Sequence, residues 1–143
     1  MPNEKSCGAV LFRRYKDKSV KYLLLHYEAG HWDFPKGNQE KNETDMETAA
    51  REIKEETGIV YLKFLDGFTY KVKYFYKKGN ETVYKEVVFY IAQSHPAEVK
   101  LSFEHIGYVW MGYENAHKKL TYKTSKELLE KANNFIINPN PSA

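Results

Sequence analysis

The sequence predicts an α/β fold in which a mixed β-sheet is packed between helices as an α/β/α sandwich. Segments rich in Val, Leu, Phe and Tyr alternate with charged or Gly-containing turns, a pattern typical of strands, and two other segments repeat apolar residues at helical spacing. Strands that surround and separate two helices favour this layered arrangement. The chain has 143 residues, 42% of them hydrophobic, enough to bury one sizeable core. We therefore expect a single domain over residues 1–143, with its core at about 5–137.

Five segments are expected to form strands. Residues 7–12 and 20–27 are apolar runs separated by a charged segment, which indicates two strands joined by an exposed turn. Residues 68–76 and 82–92 are rich in Tyr, Val and Phe and flank a Gly-Asn turn, so they predict a hairpin. Residues 109–111 are expected to add one further short strand.

Two segments are expected to form helices. The first runs from about residue 45 to residue 57, because Thr44 and Glu47 have the spacing of a capping box and Gly58 occupies a left-handed C-cap position. The second begins near Ser125 and repeats apolar residues at spacings of three and four, which predicts one buried stripe. The residues of this stripe are Leu128, Leu129, Ala132, Phe135 and Ile136.

Composition excludes several classes of protein. Twenty-two Lys and Arg against nineteen Asp and Glu give a formal charge of +3, too mild and too interspersed for a duplex-binding stripe but compatible with a polyanionic small ligand. No stable nucleic-acid partner is therefore expected, and the chain is expected to be a monomer. Cys7 is the only cysteine, no apolar run approaches about 18 residues, and the N-terminus lacks a signal-peptide core. These features predict a cytoplasmic protein without a membrane partner, and residues 138–143 are expected to fray.

Three carboxylates share one face of the first predicted helix. Glu52, Glu55 and Glu56, here called the carboxylate cluster, are three and four residues apart and therefore adjoin one another. Like charges at this spacing disfavour an isolated helix by about 0.2 to 0.5 kcal/mol per pair, and the helix dipole opposes them as well. A cation would relieve both penalties, and hard oxygen ligands suit Mg²⁺ or Mn²⁺. From the three glutamates alone, a solvated surface is the commoner explanation.

A wider pattern reverses that preference. Over 23 residues the chain matches every fixed position of the Nudix box, and it therefore resembles the Nudix pyrophosphohydrolases over about residues 5–137. The matching residues are, in order, Gly37, Glu43, Arg51, Glu52, Ile53, Glu55, Glu56, Gly58 and Ile59. The resemblance implies an α/β/α fold and metal-dependent hydrolysis of a nucleotide pyrophosphate bond.

The resemblance also implies roles for these residues. In this family the carboxylate cluster binds Mg²⁺, or Mn²⁺, together with a backbone carbonyl at Gly37, while the pair Glu43 and Arg51 is structural and braces the loop on the helix. Water attacks a phosphorus of the substrate, the metal ions neutralise charge and acidify that water, and a carboxylate accepts its proton. Glu55 and Glu56 are the candidates within the box for this catalytic work.

Two further segments resemble the animal and archaeal diadenosine tetraphosphate hydrolases, which are asymmetrical bis(5′-nucleosyl)-tetraphosphatases. They are residues 31–37, His-Trp-Asp-Phe-Pro-Lys-Gly, and residues 101–112, which begin Leu-Ser-Phe-Glu-His and continue to Tyr-x-Trp-x-Gly. The resemblance implies cleavage of diadenosine tetraphosphate to ATP and AMP. It also implies that the residues contacting phosphates are His31, Lys36 and Lys85, and that those stacking on adenine are Tyr74 and Tyr122.

Several roles have alternatives. Glu104 is a carboxylate outside the helix and is expected to bind another metal ion or to orient water. His105 is expected to be a structural neighbour, and either candidate stacking tyrosine could instead cover the surface of the sheet or helix. Trp32 and Trp110 are expected to pack in the core. Asp33 and the Phe that follows it replace the Thr-Pro usual in the animal enzymes, which leaves the substrate preference open.

Three other functions are alternatives to the hydrolysis of diadenosine tetraphosphate. An RNA 5′-pyrophosphohydrolase would use the same metal site, and a long basic groove would favour it. A nucleoside triphosphate pyrophosphohydrolase would need a tight pocket for the base. A non-catalytic nucleotide-binding sensor is the alternative from a different class, but such a sensor has no evident need for the intact carboxylate cluster.

Overall fold

The computed structural model describes residues 3–95, 98–102 and 104–138, so residues 139–143 of the tail expected to fray lie outside the described residues. The strands are β1 (Asn3–Arg14), β2 (Val20–Tyr27), β3 (Trp32–Asp33), β4 (Lys36–Asn38), β5 (Leu62–Phe64), β6 (Tyr70–Lys78), β7 (Glu81–Ser94) and β8 (His105–Met111). The helices are α1 (Asp45–Thr57), α2 (Tyr113–Lys119) and α3 (Lys123–Ile137). No helix in these ranges is long and apolar enough to cross a membrane.

All of these strands belong to one mixed sheet, as the sequence predicts. Strand β1 runs parallel to β7 along residues 3–12 and antiparallel to β2 and β4. Strand β7 also pairs with β5 and β6, and β2 pairs with β3 and β8. Residues 6–12 of β1 are buried without interruption, as expected for a strand covered on both faces.

The side chains of β1 point alternately into two cores, one on each face of the sheet. Val10 and Phe12 pack in the core that contains residues of α2 and α3. Ala9 and Leu11 pack in the opposite core with Ile53 of α1. This alternation follows from the two-residue period of a strand. The α/β/α sandwich is therefore confirmed, with α1 on one face and α2 and α3 on the other.

The two predicted helices are present, and local signals position α1. Thr44 Oγ1 accepts a hydrogen bond from the backbone N–H of Glu47 at 3.1 Å, and the Glu47 carboxylate accepts one from the backbone N–H of Thr44 at 2.8 Å. Gly58 ends the helix at φ 78°, a left-handed conformation that costs glycine little. Helix α3 begins at Lys123, two residues before the predicted start at Ser125. Of its predicted apolar stripe, Leu128, Leu129, Ala132 and Ile136 are buried and Phe135 is partly buried.

Four elements were not predicted, and three strands are longer than expected: β1, predicted over residues 7–12, β7, predicted over 82–92, and β8. Strands β3, β4 and β5 have only two or three residues, and α2 has seven, so none is long enough to display a hydrophobic period. Strand β8 begins at His105, whereas residues 109–111 were predicted, because its first half pairs with β2 without an apolar run of its own. The predicted hairpin is present as β6 and β7 around the Gly-Asn turn.

Candidate functional site

An ion pair ties the loop before α1 to the middle of that helix. Arg51 Nε lies 2.6 Å from Glu43 Oε2, and Arg51 Nη2 lies 3.1 Å from Glu43 Oε1. Glu43 Oε1 also accepts hydrogen bonds from the backbone N–H of Glu40 and the hydroxyl of Thr48, while Arg51 Nη2 donates to the carbonyl of Asn38. The Arg51 guanidinium lowers the pKa of Glu43 to about 2. The contact expected from the sequence is therefore present.

The same guanidinium also binds two members of the carboxylate cluster. Arg51 Nη1 lies 2.9 Å from Glu52 Oε1 and 3.1 Å from Glu55 Oε2. Within the described residues, no three acidic, His or Cys side chains already form a group that could hold a metal ion. Arg51 offers a physical reason, since it turns two of the candidate ligands toward its own positive charge.

Glu56 differs from the other two glutamates because it is buried. It is 4% exposed, and its Oε2 has no hydrogen-bond partner among the described residues. Burial raises the pKa of Glu56 to about 8, and the negative charge of Glu52 contributes to this shift. The hydroxyl of Tyr27 lies 3.4 Å from Glu56 Oε1 and donates a shorter hydrogen bond, 2.9 Å, to the carbonyl of Phe34.

His105 packs directly beside Glu56. Its Nε2 lies 3.1 Å from Glu56 Oε1, but the two groups are not aligned for a hydrogen bond. The two side chains are therefore buried in contact with each other without being hydrogen-bonded. His105 Nδ1 lies 2.9 Å from the Ser102 hydroxyl. Burial lowers the pKa of His105, which favours the neutral imidazole. His105 is therefore a direct neighbour of the carboxylate cluster, and its structural role stays a prediction.

The residues around the carboxylate cluster suit a hard divalent cation. A Cβ at position 37 would overlap the carboxylate of Glu52, so Gly37 allows the backbone of β4 to lie against this glutamate. The Oε2 of Glu56 is a buried oxygen without a hydrogen-bond donor among the described residues, an arrangement that a cation or a proton would stabilise. Oxygen donors from carboxylates and backbone are the ligands that Mg²⁺ and Mn²⁺ prefer.

Two charged residues from other elements lie near the carboxylate cluster. The negative charge of Glu104 contributes to the raised pKa of both Glu52 and Glu56, although burial is the larger cause in each case. Lys36 acts on Glu56 in the opposite direction and lowers its pKa. The structure thus brings both Glu104 and Lys36 close enough to the cluster for their charges to act on it.

A cavity of about 340 Å³ lies beside Lys36, between the sheet and the start of α3. Its volume is within the range of about 300 to 1,000 Å³ that is common for small-molecule pockets. Four of the predicted substrate-binding residues are in its wall: His31, Lys36, Tyr74 and Tyr122. The other residues that line it are Asp33, Val72, Val87, Phe89, Thr124, Ser125 and Leu128.

Lys85 is close to this cavity without lining it. It pairs with Tyr74 across β6 and β7, and its Nζ lies 3.8 Å from Glu4 Oε1. Burial lowers the pKa of Lys85, and the positive charge of Lys36 contributes to the same effect, so the two lysines are near each other. Together they concentrate positive charge beside the cavity.

A row of rings connects the cavity to Glu56. The rings of Tyr122 and His31 are 5.5 Å apart, and His31 stacks on Tyr27 at 4.5 Å with planes 7° apart. Tyr27 in turn contacts the edge of His105 at 4.4 Å. Tyr27 stands in an apolar strand pattern of the sequence, which gives no sign of its contact with Glu56.

The two tryptophans pack against the cores, as expected. Trp32 stacks on His26 at 4.3 Å and is partly buried against the core on the side of α3. Trp110 is partly buried against the core on the side of α1, and the Arg13 guanidinium lies 5.1 Å from its ring.

Comparison with known proteins places this arrangement among a group of enzymes. Residues 3–132 match the family model described as the NUDIX domain. An asymmetrical bis(5′-nucleosyl)-tetraphosphatase from Mus musculus is 33% identical over 143 residues, covering 92% of this chain and 95% of the relative. The crystal structure of a C. elegans Ap4A hydrolase binary complex superposes with a TM-score of 0.82 at 29% identity, covering 94% of this chain and 98% of that one. An mRNA-decapping protein of African swine fever virus is 40% identical over 60 residues, 41% of this chain and 23% of the viral protein.

Proposed function

The chain belongs to the NUDIX domain family, and from this premise we propose that it hydrolyses dinucleoside tetraphosphates asymmetrically, cleaving diadenosine tetraphosphate to ATP and AMP. One observation carries the proposal: a cavity walled by Tyr74 and Tyr122 lies beside Lys36, whose charge also acts on Glu56 of the carboxylate cluster. A base in the cavity would direct its phosphate chain toward the acidic residues. The name of the mouse relative supports the same reaction.

We propose that the carboxylate cluster, with the backbone carbonyl of Gly37, holds the divalent cation that Nudix hydrolases generally need, here Mg²⁺ or Mn²⁺. When bound, such an ion neutralises the polyphosphate, orients it and acidifies water. In this proposal Glu52 can offer its Oε2 to the ion, since only its Oε1 accepts a hydrogen bond from Arg51. Both oxygens of Glu55 accept from Arg51 Nη1, so Glu55 would give up part of that contact to bind the ion, while Arg51 keeps its bonds to Glu43.

The remaining residues have separate tasks in this proposal. Lys36, Lys85 and His31 bind phosphate oxygens, and the two tyrosines of the cavity stack on the base. A lysine presents a compact positive charge, and an imidazole can donate a hydrogen bond to an anionic oxygen. Positive charge along the phosphate chain also reduces its repulsion of an attacking hydroxide.

A carboxylate must accept the proton of the attacking water. The candidates are Glu55, Glu56 and Glu104, which all lie near the predicted metal site. Glu55 is the most exposed member of the cluster, Glu56 is buried with a raised pKa, and Glu104 approaches from the segment before β8. Any of them can act only if it lies within hydrogen-bond reach of that water.

A second candidate is an RNA 5′-pyrophosphohydrolase, because one side of β6 is basic and aromatic. Lys71, Lys73, Phe75 and Lys77 alternate along this strand and are all exposed, so they share one face of the hairpin. Lysines can neutralise an RNA backbone, and an aromatic ring can stack on a base. The partial match to the viral mRNA-decapping protein supports this alternative.

We further propose that the protein is a monomeric cytoplasmic enzyme whose single domain covers residues 1–143, without a stable nucleic-acid partner. The buried free thiol of Cys7 agrees with a reducing compartment.

Product analysis in ¹⁸O-labelled water tests the proposed reaction. With diadenosine tetraphosphate and Mg²⁺, we expect equal amounts of ATP and AMP, with the label in one of the two products. Two ADP molecules as the main product would contradict asymmetric cleavage. Absence of dinucleotide turnover combined with rapid release of pyrophosphate from 5′-triphosphorylated RNA would favour the second candidate. Nucleoside triphosphates are included as substrates to test the alternative of a nucleoside triphosphate pyrophosphohydrolase.

A further inference from the structure

A buried aspartate forms part of the cavity wall. Asp33 is 5% exposed and ends the short strand β3. Its Oδ1 accepts two hydrogen bonds of 2.8 Å, one from the backbone N–H of Phe34 and one from the hydroxyl of Ser125 on α3. One oxygen of this carboxylate is therefore fully engaged in holding β3 and α3 together.

The second oxygen of Asp33 is available to a ligand. No described residue donates a hydrogen bond to Oδ2, and this atom is not among the fully enclosed unpaired atoms of the described chain. Because Asp33 lines the cavity, its remaining exposure is toward that space. A buried carboxylate oxygen without a donor is costly, so a ligand that supplies donors would be stabilised here.

Ser125 adds a second acceptor beside the first. A serine hydroxyl has one proton, and Ser125 donates it to Asp33, so only its lone pairs remain for a ligand. Ser125 also lines the cavity and is 7% exposed. The cavity wall thus presents two neighbouring groups that accept hydrogen bonds.

We propose that Asp33 and Ser125 read the Watson–Crick edge of guanine, so that the cavity prefers guanine nucleotides to adenine nucleotides. Guanine presents two adjacent donors at this edge, its N1–H and its N2 amino group. Adenine presents one donor, its N6 amino group, next to N1, which is an acceptor and would face the acceptors of the wall. The inference rests on the proposed function in one respect, because it takes the cavity as the site of the base.

The rest of the cavity divides the work between stacking and selection. Tyr74 and Tyr122 can stack on any base, since every base has an aromatic face. The apolar side chains of the cavity form no hydrogen bonds and cannot distinguish one purine edge from another. Discrimination therefore falls to polar atoms of the wall, whose bonds depend on the positions of donors and acceptors, and Asp33 and Ser125 are its buried polar residues.

The charges of the site agree with this orientation. The carboxylate of Asp33 would repel a phosphate, so the base belongs at this side of the cavity. Lys36 lines the same cavity and also acts on Glu56, so the phosphate chain would leave toward the carboxylate cluster. Loss of one hydrogen bond to a charged group changes affinity by about 10-fold or more, which sets the expected preference.

Asp33→Asn tests the proposal with little change of shape. The asparagine Oδ1 can still accept from Phe34 and Ser125, but an amide that donates replaces the free carboxylate oxygen. Asp66→Asn is the matched control, because this substitution removes the same charge from a residue that is exposed in the turn after β5. Ser125→Ala is a second variant that removes the neighbouring acceptor and leaves the Asp33 carboxylate in place.

Two ratios are measured for each protein. One is the ratio of kcat/KM for diguanosine and diadenosine tetraphosphate with Mg²⁺, and the other is the ratio of Kd for GDP and ADP in EDTA, where turnover is prevented. We expect both ratios to favour guanine by about 10-fold in the wild type and the control, and to approach or cross one in Asp33→Asn. Ser125→Ala should lower the preference as well. A purely structural role would change affinity for both nucleotides equally and leave the ratios unchanged.

The outcomes separate this inference from the proposed function. Asymmetric hydrolysis of both dinucleotides, without a guanine preference or with a ratio that Asp33→Asn does not change, would overturn the inference and leave the proposed function intact. A preference for GDP that Asp33→Asn removes, without turnover of any dinucleotide, would support the recognition of guanine by Asp33 and Ser125 and contradict the proposed function. Thermal unfolding of each variant shows that the ratios are measured on folded protein.

Discussion

Arg51 Nε lies 2.6 Å from Glu43 Oε2, and this contact fastens the loop that follows β4 to the helix that carries the carboxylate cluster. The other nitrogens of the guanidinium reach Asn38, Glu52 and Glu55. One arginine therefore connects the loop, the helix and two of the proposed metal ligands. Removal of its strongest partner should affect the order of the loop before it affects chemistry.

We predict that Glu43→Gln lowers the midpoint of thermal unfolding and reduces kcat less than loss of a metal ligand does. The pair is mostly enclosed, with exposed fractions of 18% for the Glu43 side chain and 23% for that of Arg51, and loss of one partner leaves the other without its counter-charge. Glu40→Gln is the control, because Glu40 is 60% exposed and 3.8 Å from Arg51. An unchanged unfolding midpoint together with a collapse of kcat would contradict the structural role.

The contribution of Glu43 should depend on pH in a defined direction. Arg51 lowers the pKa of this carboxyl from 4.5 to about 2 in the folded protein, so its stabilising effect is present above pH 4.5 and is lost as the pH falls toward 2. Denaturant unfolding at several pH values measures this effect. The difference in unfolding free energy between wild type and Glu43→Gln should be constant above about pH 5 and shrink below it. A difference that grew on acidification would exclude this cause.

Glu55→Gln and Glu56→Gln should each reduce kcat by at least about 100-fold while the fold is retained, as expected when a metal ligand or proton acceptor is lost. Stabilisation against heat by Mg²⁺ should weaken in both variants, which gives a readout independent of turnover. Glu81→Gln, in the exposed turn end of β7, is a charge-matched control. Full activity of both variants at saturating Mg²⁺ would refute the predicted metal site.

Tyr74→Ala and Tyr122→Ala should raise KM more than they lower kcat. Stacking on a base contributes roughly 1 to 3 kcal/mol, which corresponds to an increase in KM of about 5-fold to 150-fold if all of it is lost. Tyr61→Ala is the control, since Tyr61 is 74% exposed and does not line the cavity. Steady-state kinetics with diadenosine tetraphosphate distinguishes the two effects. An equal loss of kcat at unchanged KM would argue against a stacking role.

Cys7 should resist thiol reagents in the native protein. Its side chain has no exposed surface, and burial raises the pKa of the thiol to about 12, so little thiolate forms at pH 8. Because it is the only cysteine, labelling followed by mass analysis reports one site per chain. We expect slow labelling in buffer and complete labelling in denaturant. Rapid labelling under native conditions would show that β1 opens at its pairing with β4.

The sequence by itself determined the elements whose signals are local. Helix α1 extends over the predicted residues because its capping box and its C-terminal glycine are within the segment that they delimit. The adjacency of Glu52, Glu55 and Glu56 follows from helical spacing alone. The resemblance to the Nudix box predicted the pairing of Glu43 with Arg51, and the structure contains this contact. The catalytic roles of the carboxylate cluster remain predictions.

Only the tertiary structure decided which distant residues meet. His105 reaches Glu56, and Ser125 binds Asp33, because strand pairing and the packing of α3 on the sheet bring together segments that are far apart in sequence. Short strands such as β3 have too few residues to carry a periodic pattern, so their positions depend on partners elsewhere in the chain. The burial that raises the pKa of Glu56 has the same origin, since neighbours from several elements remove water that the helix alone would leave in place.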